Sequence, residues 1–125
     1  MQTTPKHFQG IDTVIIRVSD IERSKQWYIE KLAQTLVWED AAHKLAVLDT
    51  GGPTSLTLWQ TEQKRAVDKD SASYPIFKTA NAKAARQALI NQGVKTDELI
   101  EDKAVCFFSF YDPDGNILEA CQMIE

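Results

Sequence analysis

Glu119 is the residue of this chain that is best placed to do chemistry. It is the single carboxylate in the strand-like run Ile117 to Met123, whose other residues are mostly apolar. A carboxylate is costly to bury without a partner, so Glu119 must pair with a cation, accept hydrogen bonds or stay partly protonated. A carboxyl group whose pKa is raised in an apolar cleft can act as a general acid or base. Glu119 is therefore the candidate catalytic residue.

The segment before Glu119 predicts how this carboxyl group is positioned. Residues 112–116 (DPDGN) are turn formers, and the runs on either side, Val105 to Tyr111 and Ile117 to Met123, are rich in aromatic and β-branched residues. This pattern predicts a β-hairpin. Alternation along its strands places four further side chains on the face that holds Glu119: Phe107, Ser109, Tyr111 and Cys121.

The two cysteines are not expected to form a disulfide. The hairpin places Cys106 opposite Gln122 and Cys121 opposite Phe107, so the two sulfur atoms lie on opposite faces of the sheet. Reduced thiols are typical of cytosolic proteins, and we expect a cytoplasmic location. Each cysteine is expected to be a small buried hydrophobic residue and not a nucleophile, because no histidine is placed near it.

Composition limits the classes of partner. The chain has 125 residues and a net charge of −4, which suits one domain with a proper core and argues against a nucleic-acid partner. No apolar run approaches the roughly 20 residues that a membrane helix requires, so no membrane partner is expected.

The first half of the chain predicts the element order β-α-β-β-β. A β-branched strand is followed by a helix that ends near Ala33, with Ser19 (in a capping box with Glu22) or Asp20 as its N-cap. Four strands are expected in this half: Ile11 to Val18, Thr35 to Glu39, Lys44 to Asp49, and Ser55 to Gln60.

The second half repeats this order after a polar linker, Thr61 to Ser73. Asn81 is expected to cap its helix and Gly93 to end it. Four strands are again expected: Tyr74 to Thr79, Val94 to Leu99, Ala104 to Tyr111, and Ile117 to Met123.

The repeated order predicts an internal duplication and an α+β fold. We expect one domain over residues 1–125, with modules at about 11–60 and 74–124 joined by the linker 61–73. The spans from Thr13 to Thr57 and from Pro75 to Glu119 are equal in length. Equal spans predict that these four positions converge where two curled mixed sheets surround a common cleft.

Two segments resemble the vicinal oxygen chelate superfamily, the group of glyoxalases, bleomycin-resistance proteins and extradiol dioxygenases. They are IDTVIIRVSDIERSKQWYIEKL and FFSFYDPDGNILEACQ. Members that catalyse reactions usually bind a divalent metal at four convergent positions, which correspond here to Thr13, Thr57, Pro75 and Glu119. Only Glu119 is an ordinary metal ligand, and the histidines His7 and His43 stand elsewhere in the sequence. The resemblance therefore implies the fold, while the ligand set predicts no metal and no cofactor.

The resemblance also suggests a role for Arg17, which alternation places on the face of Thr13. In glutathione-using members, an arginine at this spacing contacts the carboxylate of the substrate. An internal salt bridge, for example to Glu119, is the alternative. The same alternation adds Trp59 and Phe77 to the cleft, beside Thr57 and Pro75.

Such an aromatic cleft suits a flat apolar or aromatic small molecule. The resemblance then implies a metal-independent binding protein similar to bleomycin-resistance proteins, working as a homodimer. The alternative is a lyase, isomerase or dioxygenase that uses Glu119 as acid or base. A metal held by non-standard ligands, such as His43, would also allow these activities.

Overall fold

Two β-α-β-β-β modules follow one another in the computed structural model, which describes residues 7–64 and 66–124. The elements of module one are β1 (Thr13–Val18), α1 (Ile21–Leu32), β2 (Thr35–Asp40), β3 (Leu45–Asp49) and β4 (Ser55–Gln60). Those of module two are β5 (Ile76–Lys78), α2 (Ala82–Asn91), β6 (Ile100–Glu101), β7 (Val105–Tyr111) and β8 (Ile117–Met123). The predicted α+β architecture is confirmed.

Each module forms one four-stranded sheet, and the two sheets have equivalent strand orders. They are β1-β4-β3-β2 in sheet 1 and β5-β8-β7-β6 in sheet 2. In each, the first strand of the module pairs in parallel with the last strand, and the remaining pairs are antiparallel. The last strand of each module, β4 or β8, is therefore central, with neighbours on both sides.

The core lies on the helix side of both sheets. One buried cluster joins residues of the two modules, among them Tyr28, Leu58, Phe108 and Leu118. Alternation therefore turns the opposite face of each sheet, which we call its outer face, away from the helices. None of the described helices is long and apolar enough to cross a bilayer.

The helix ends follow the expected capping residues with one correction. Asp20, and not Ser19, is the N-cap of α1, because its side chain accepts a hydrogen bond from the backbone N–H of Arg23. Ser19 instead donates its hydroxyl to Asp114 in the other module. Asn81 caps α2 as predicted, and Gly93, at φ 79°, follows the last turn.

The predicted strand Val94 to Leu99 is wrong. The short strand β6 lies later, at Ile100–Glu101, and only Thr96 of the predicted segment makes a β-bridge, to Phe110. Arg86 of α2 donates from Nε to the carbonyl oxygen of Asp97 at 2.8 Å, so a side chain occupies this backbone acceptor. Backbone hydrogen bonds from Asp97 N–H to the Ser109 carbonyl oxygen (2.8 Å) and from Tyr111 N–H to that of Lys95 (3.1 Å) attach the segment to β7, so one isolated bridge forms in place of the predicted strand.

The predicted hairpin is confirmed, including its register. Cys106 pairs with Gln122 and Cys121 with Phe107, and both thiols are free. Glycine at position 115 has φ 80°, a conformation that other residues adopt only with strain. The turn chemistry thus sets the position of Glu119, four residues beyond this glycine.

The β7–β8 turn also joins the two modules. The Tyr28 hydroxyl of α1 donates to Asp112 Oδ2 at 2.8 Å in a buried hydrogen bond. Asn116 donates from Nδ2 to the Arg17 carbonyl oxygen at 3.0 Å, and Ser19 also bonds this turn, through Asp114. Burial raises the pKa of Asp112, and hydrogen bonds from Asn116 and Tyr28 partly offset that effect.

Replacing Tyr28 by phenylalanine should lower the free energy of unfolding by about 1.5–3 kcal/mol, the usual effect of removing a buried hydrogen bond to a charged group. Urea denaturation of the wild type and Tyr28→Phe measures this difference. Tyr74→Phe is a matched control, because the Tyr74 hydroxyl makes no hydrogen bond within residues 7–64 and 66–124, and its effect should stay within about 0.5 kcal/mol. Equal losses of stability in the two variants would contradict a stabilising role for the Tyr28–Asp112 hydrogen bond.

Candidate functional site

Four of the predicted site residues lie together on the outer face of sheet 1. Thr57 stands between Ile15 of β1 and Val47 of β3, and Arg17 pairs with Trp59. Thr13 completes the group, since its Oγ1 lies 2.8 Å from Thr57 Oγ1 and it also donates to the Ser55 carbonyl oxygen at 3.2 Å. The two threonine hydroxyls are therefore hydrogen-bonded to each other, and that of Thr13 is also bonded to the backbone.

Arg17 is held at the end of β4 by its own sheet. Its Nε donates to the Trp59 carbonyl oxygen at 3.1 Å, and Nη2 donates to that of Gln60 at 3.2 Å. Its guanidinium carbon lies 4.2 Å from the centre of the Trp59 ring, which is a cation–π distance. The expected salt bridge from Arg17 to Glu119 is absent, because these three contacts hold the guanidinium on sheet 1.

The outer face of sheet 2 carries the predicted group around Glu119. Glu119 pairs directly with Ser109, Cys121 with Phe107, and Tyr111 with Ile117. These assignments follow the hairpin register predicted from the turn.

The placement of Phe77 in the cleft is wrong. Ile76 pairs with Glu119 and therefore occupies the outer face, while Phe77 turns toward the helices and packs 6.2 Å from the ring of Phe110. In module one, Ile15 is the partner of Thr57 in the same parallel register. The position equivalent to Thr13 is therefore Tyr74, and not Pro75 as the equal spans suggested.

Glu119 is a mostly buried residue whose carboxyl group still reaches solvent. Its exposed fraction is 9%, and no hydrogen bond or salt bridge reaches its side chain from the described residues. Burial raises the pKa of Glu119, and the positive charge of Lys69 acts weakly in the opposite direction. Lys69 itself is engaged by Asp97, whose Oδ2 lies 2.8 Å from Nζ. Of the three states expected for Glu119, neither a cation pair nor a hydrogen bond is formed with the described residues, and burial shifts its pKa toward the neutral form.

The expected positions are divided between the two sheets. Thr13 and Thr57 belong to sheet 1, Glu119 belongs to sheet 2, and no hydrogen bond joins the two sets within the described part of the chain. A cleft of about 270 Å³ lies between β1 and the start of β8. It is lined on the two sides by Ile15, Arg17, Asn116 and Ile117.

The linker forms the remaining wall of this cleft, which the sequence did not indicate. Residues 66–68 and 71–73 line it, and an adjoining hollow of about 360 Å³ shares Arg17, Val67 and Asn116. The linker is polar, so its composition predicted only a surface segment. The ion pair that ties Lys69 to Asp97 had no sequence signal, because it joins residues 28 positions apart.

The residues present do not fit a divalent metal of the family type. Within residues 7–64 and 66–124, no three histidine, cysteine or acidic side chains are grouped as a metal site requires. His43 lies in the β2–β3 turn with Nδ1 2.7 Å from Asp40 Oδ2, in an exposed pair. The three equivalent positions other than Glu119 carry Thr13, Thr57 and Tyr74 in place of histidine. Their neutral hydroxyl groups bind such metals weakly.

The raised pKa of Glu119 predicts a pH-dependent stability. The folded protein holds its proton to a higher pH than the unfolded chain, so this residue's contribution is present below the ordinary pKa of 4.5 and is lost as pH rises through the folded value. Glu119→Gln should therefore be more stable than the wild type at pH 7, and the difference should shrink as pH falls toward 4.

Urea denaturation between pH 4 and pH 8 measures this difference. Glu98→Gln, at an exposed position, is the control for the same loss of charge. An identical gain in stability at pH 7 for the two variants would show that the effect does not come from the burial of Glu119.

Comparisons with known proteins agree with this architecture. The family model of the Glyoxalase/Bleomycin resistance protein/Dioxygenase superfamily matches residues 10–120. No curated protein matches the sequence.

Solved structures share the fold over nearly the whole chain. A glyoxalase family protein from Enterococcus faecalis is 25% identical with a TM-score of 0.78, covering 94% of this chain and 100% of its own. TnmS3, an antibiotic binding protein from Streptomyces sp. CB03234, is 22% identical with a TM-score of 0.78, covering 96% and 100%. TioX from Micromonospora sp. ML1 is 17% identical with a TM-score of 0.73, covering 93% and 100%.

The duplicated module, the β7–β8 turn and the matched family model lead to one assignment. This chain belongs to the Glyoxalase/Bleomycin resistance protein/Dioxygenase superfamily, the vicinal oxygen chelate group.

Proposed function

We propose that this protein binds a small, partly aromatic or apolar organic molecule between its two sheets, without a metal. The observation that carries the proposal is the character of the outer faces. They expose apolar side chains, including Trp38 and Ile76 at 57% each, around a few buried polar groups. Small-molecule sites typically combine an apolar lining with a small number of placed polar groups.

The cleft beside β1 gives this surface a concave part. Its volume of about 270 Å³ is close to the lower end of the range for small-molecule sites. Arg17 stands in its lining and stacks on Trp59, whose ring is partly exposed. A flat ring can pack against such a rigid pair with little loss of side-chain freedom.

The nature of one structural neighbour supports binding over turnover. TnmS3, which has the same fold, is an antibiotic binding protein. In this chain, three of the positions that would hold a metal in catalytic relatives carry Thr13, Thr57 and Tyr74. Affinity would then come from the aromatic lining, and Arg17 or Glu119 would orient the ligand.

The exposed apolar outer faces also favour a homodimer. The β-bulge between Leu36 and Trp38 turns Trp38 outward on β2, and Val37 beside it is exposed as well. Exposed apolar patches of this kind often mark protein interfaces. We expect light scattering to give a mass of about twice 14.1 kDa at micromolar concentration. A mass of 14.1 kDa would overturn the dimer.

A neutral aromatic probe tests the binding function. 1-Naphthalenemethanol should bind with a Kd on the order of 0.1–1 mM, the range expected for a compound of its size. Trp59→Ala should weaken this binding about fivefold or more, because the stacking surface is lost. Titration followed by NMR of the labelled protein measures both values.

Two controls make this experiment decisive. Ile90→Ala, at an exposed position on α2, should leave the Kd unchanged, and so should excess EDTA. Absence of binding to the wild type would refute the binding function. Loss of binding in EDTA, with a stoichiometric metal in the purified protein, would refute metal independence.

An acid–base enzyme is the second candidate, because the burial and raised pKa of Glu119 suit a general acid or base. The reaction would be of the lyase, isomerase or dioxygenase type found in the family. In that case Glu119→Gln should lower turnover of a substrate by roughly 10²–10⁴ while ligand binding persists. Turnover that survives in Glu119→Gln would exclude Glu119 as the catalytic residue.

A further inference from the structure

We propose that the Glu119 carboxyl group selects ligands that carry a protonated amine or another N–H donor next to an aromatic ring. This inference rests on the proposed binding function and names the class of ligand. It places the recognition point on the outer face of sheet 2, where β5, β8 and β7 lie side by side.

The first argument is that Glu119 and Ser109 form a pair of polar groups without other partners. They lie directly opposite each other on β8 and β7, with exposed fractions of 9% and 7%. No hydrogen bond joins the two side chains to each other or to any described residue. The polar atoms of both side chains keep contact with solvent on the outer face, so a ligand that carries an N–H donor can reach them there.

The second argument is that none of the basic residues in 7–64 and 66–124 pairs with Glu119. Lys69 is the basic residue whose charge reaches this carboxyl group. It is held elsewhere, because its Nζ lies 2.8 Å from Asp97 Oδ2 and 3.3 Å from the Tyr111 hydroxyl. That hydroxyl also donates to Asp97, so the Lys69 charge is balanced within its own cluster.

The third argument is the apolar surface around the acid. Ile76 of β5 pairs with Glu119 and is exposed. Phe107 of β7 lies on the same face as Glu119 and pairs with Ile100 of β6. These side chains give a ring system a flat surface to cover. An ammonium group beside that ring would reach Glu119 and form a charge-assisted hydrogen bond in a partly desolvated setting.

The chemistry of the site also argues against anionic ligands. Placing a carboxylate or sulfonate beside Glu119 would bring two negative charges together in a partly desolvated setting. A neutral aromatic alcohol remains compatible with the surface, because Ser109 can accept or donate one hydrogen bond. The expected order of affinity is therefore amine, then alcohol, then acid.

Three naphthalene compounds of matched size test this order: 1-naphthylmethylamine, 1-naphthalenemethanol and 1-naphthoic acid. Isothermal titration at pH 7 should show the amine binding the wild type at least tenfold more tightly than the acid. In Glu119→Gln this preference should fall to threefold or less, while the affinity for the alcohol changes less than twofold. Glu98→Gln, which loses the same charge at an exposed position, should retain the wild-type preference.

The outcomes separate this inference from the binding function itself. If all three compounds bind and Glu119→Gln has no effect on the amine preference, the inference is wrong and the binding function stands. If Glu98→Gln reduces the preference as much as Glu119→Gln does, the effect is one of net charge and the inference is again wrong. If none of the compounds binds the wild type, both the binding function and this inference are wrong.

Discussion

The buried hydrogen bond between Tyr28 and Asp112 is the constraint on which the relation between the two modules depends. It links the centre of α1 to the β7–β8 turn at 2.8 Å, and the remaining bonds of that turn reach Ser19 and the end of β1. Because the same turn begins β8, the contact that joins the modules also sets where Glu119 stands. The position of the candidate site is thus coupled to the stability of the inter-module contact.

Much of the fold could be predicted because local chemistry and pattern agreed. The turn residues 112–116 and the alternation on either side determined the hairpin register, and Asn81 and Gly93 marked the ends of α2. Both signals act within a few residues, so they survive in the folded chain. The strand expected at Val94 to Leu99 failed because long-range contacts decided its path: Arg86 and Lys69 bind Asp97 there.

The site was less predictable than the fold, since it depends on the register between strands that are distant in sequence. Equal spans suggested Pro75 and Phe77 for the cleft, but the parallel pairing of β5 with β8 turns Ile76 outward instead. A shift of one residue in a strand exchanges its two faces. The outer-face residues of β7 and β8 were assigned correctly, because a tight turn fixed their register. The Arg17 contacts and the linker wall had no counterpart in the sequence pattern.

Thr57 and Glu119 occupy equivalent positions in the two modules, and this difference bears on how a ligand would be oriented. Both occupy the central strand of their sheet, next to Ile15 in one module and Ile76 in the other. With the same residue at both positions, the two modules would be equivalent and a ligand could bind in either of two orientations. If the chain binds a small molecule as proposed, a neutral hydroxyl in one half and an acid in the other remove that ambiguity, and a ligand with a polar end and an apolar end would have a single preferred direction.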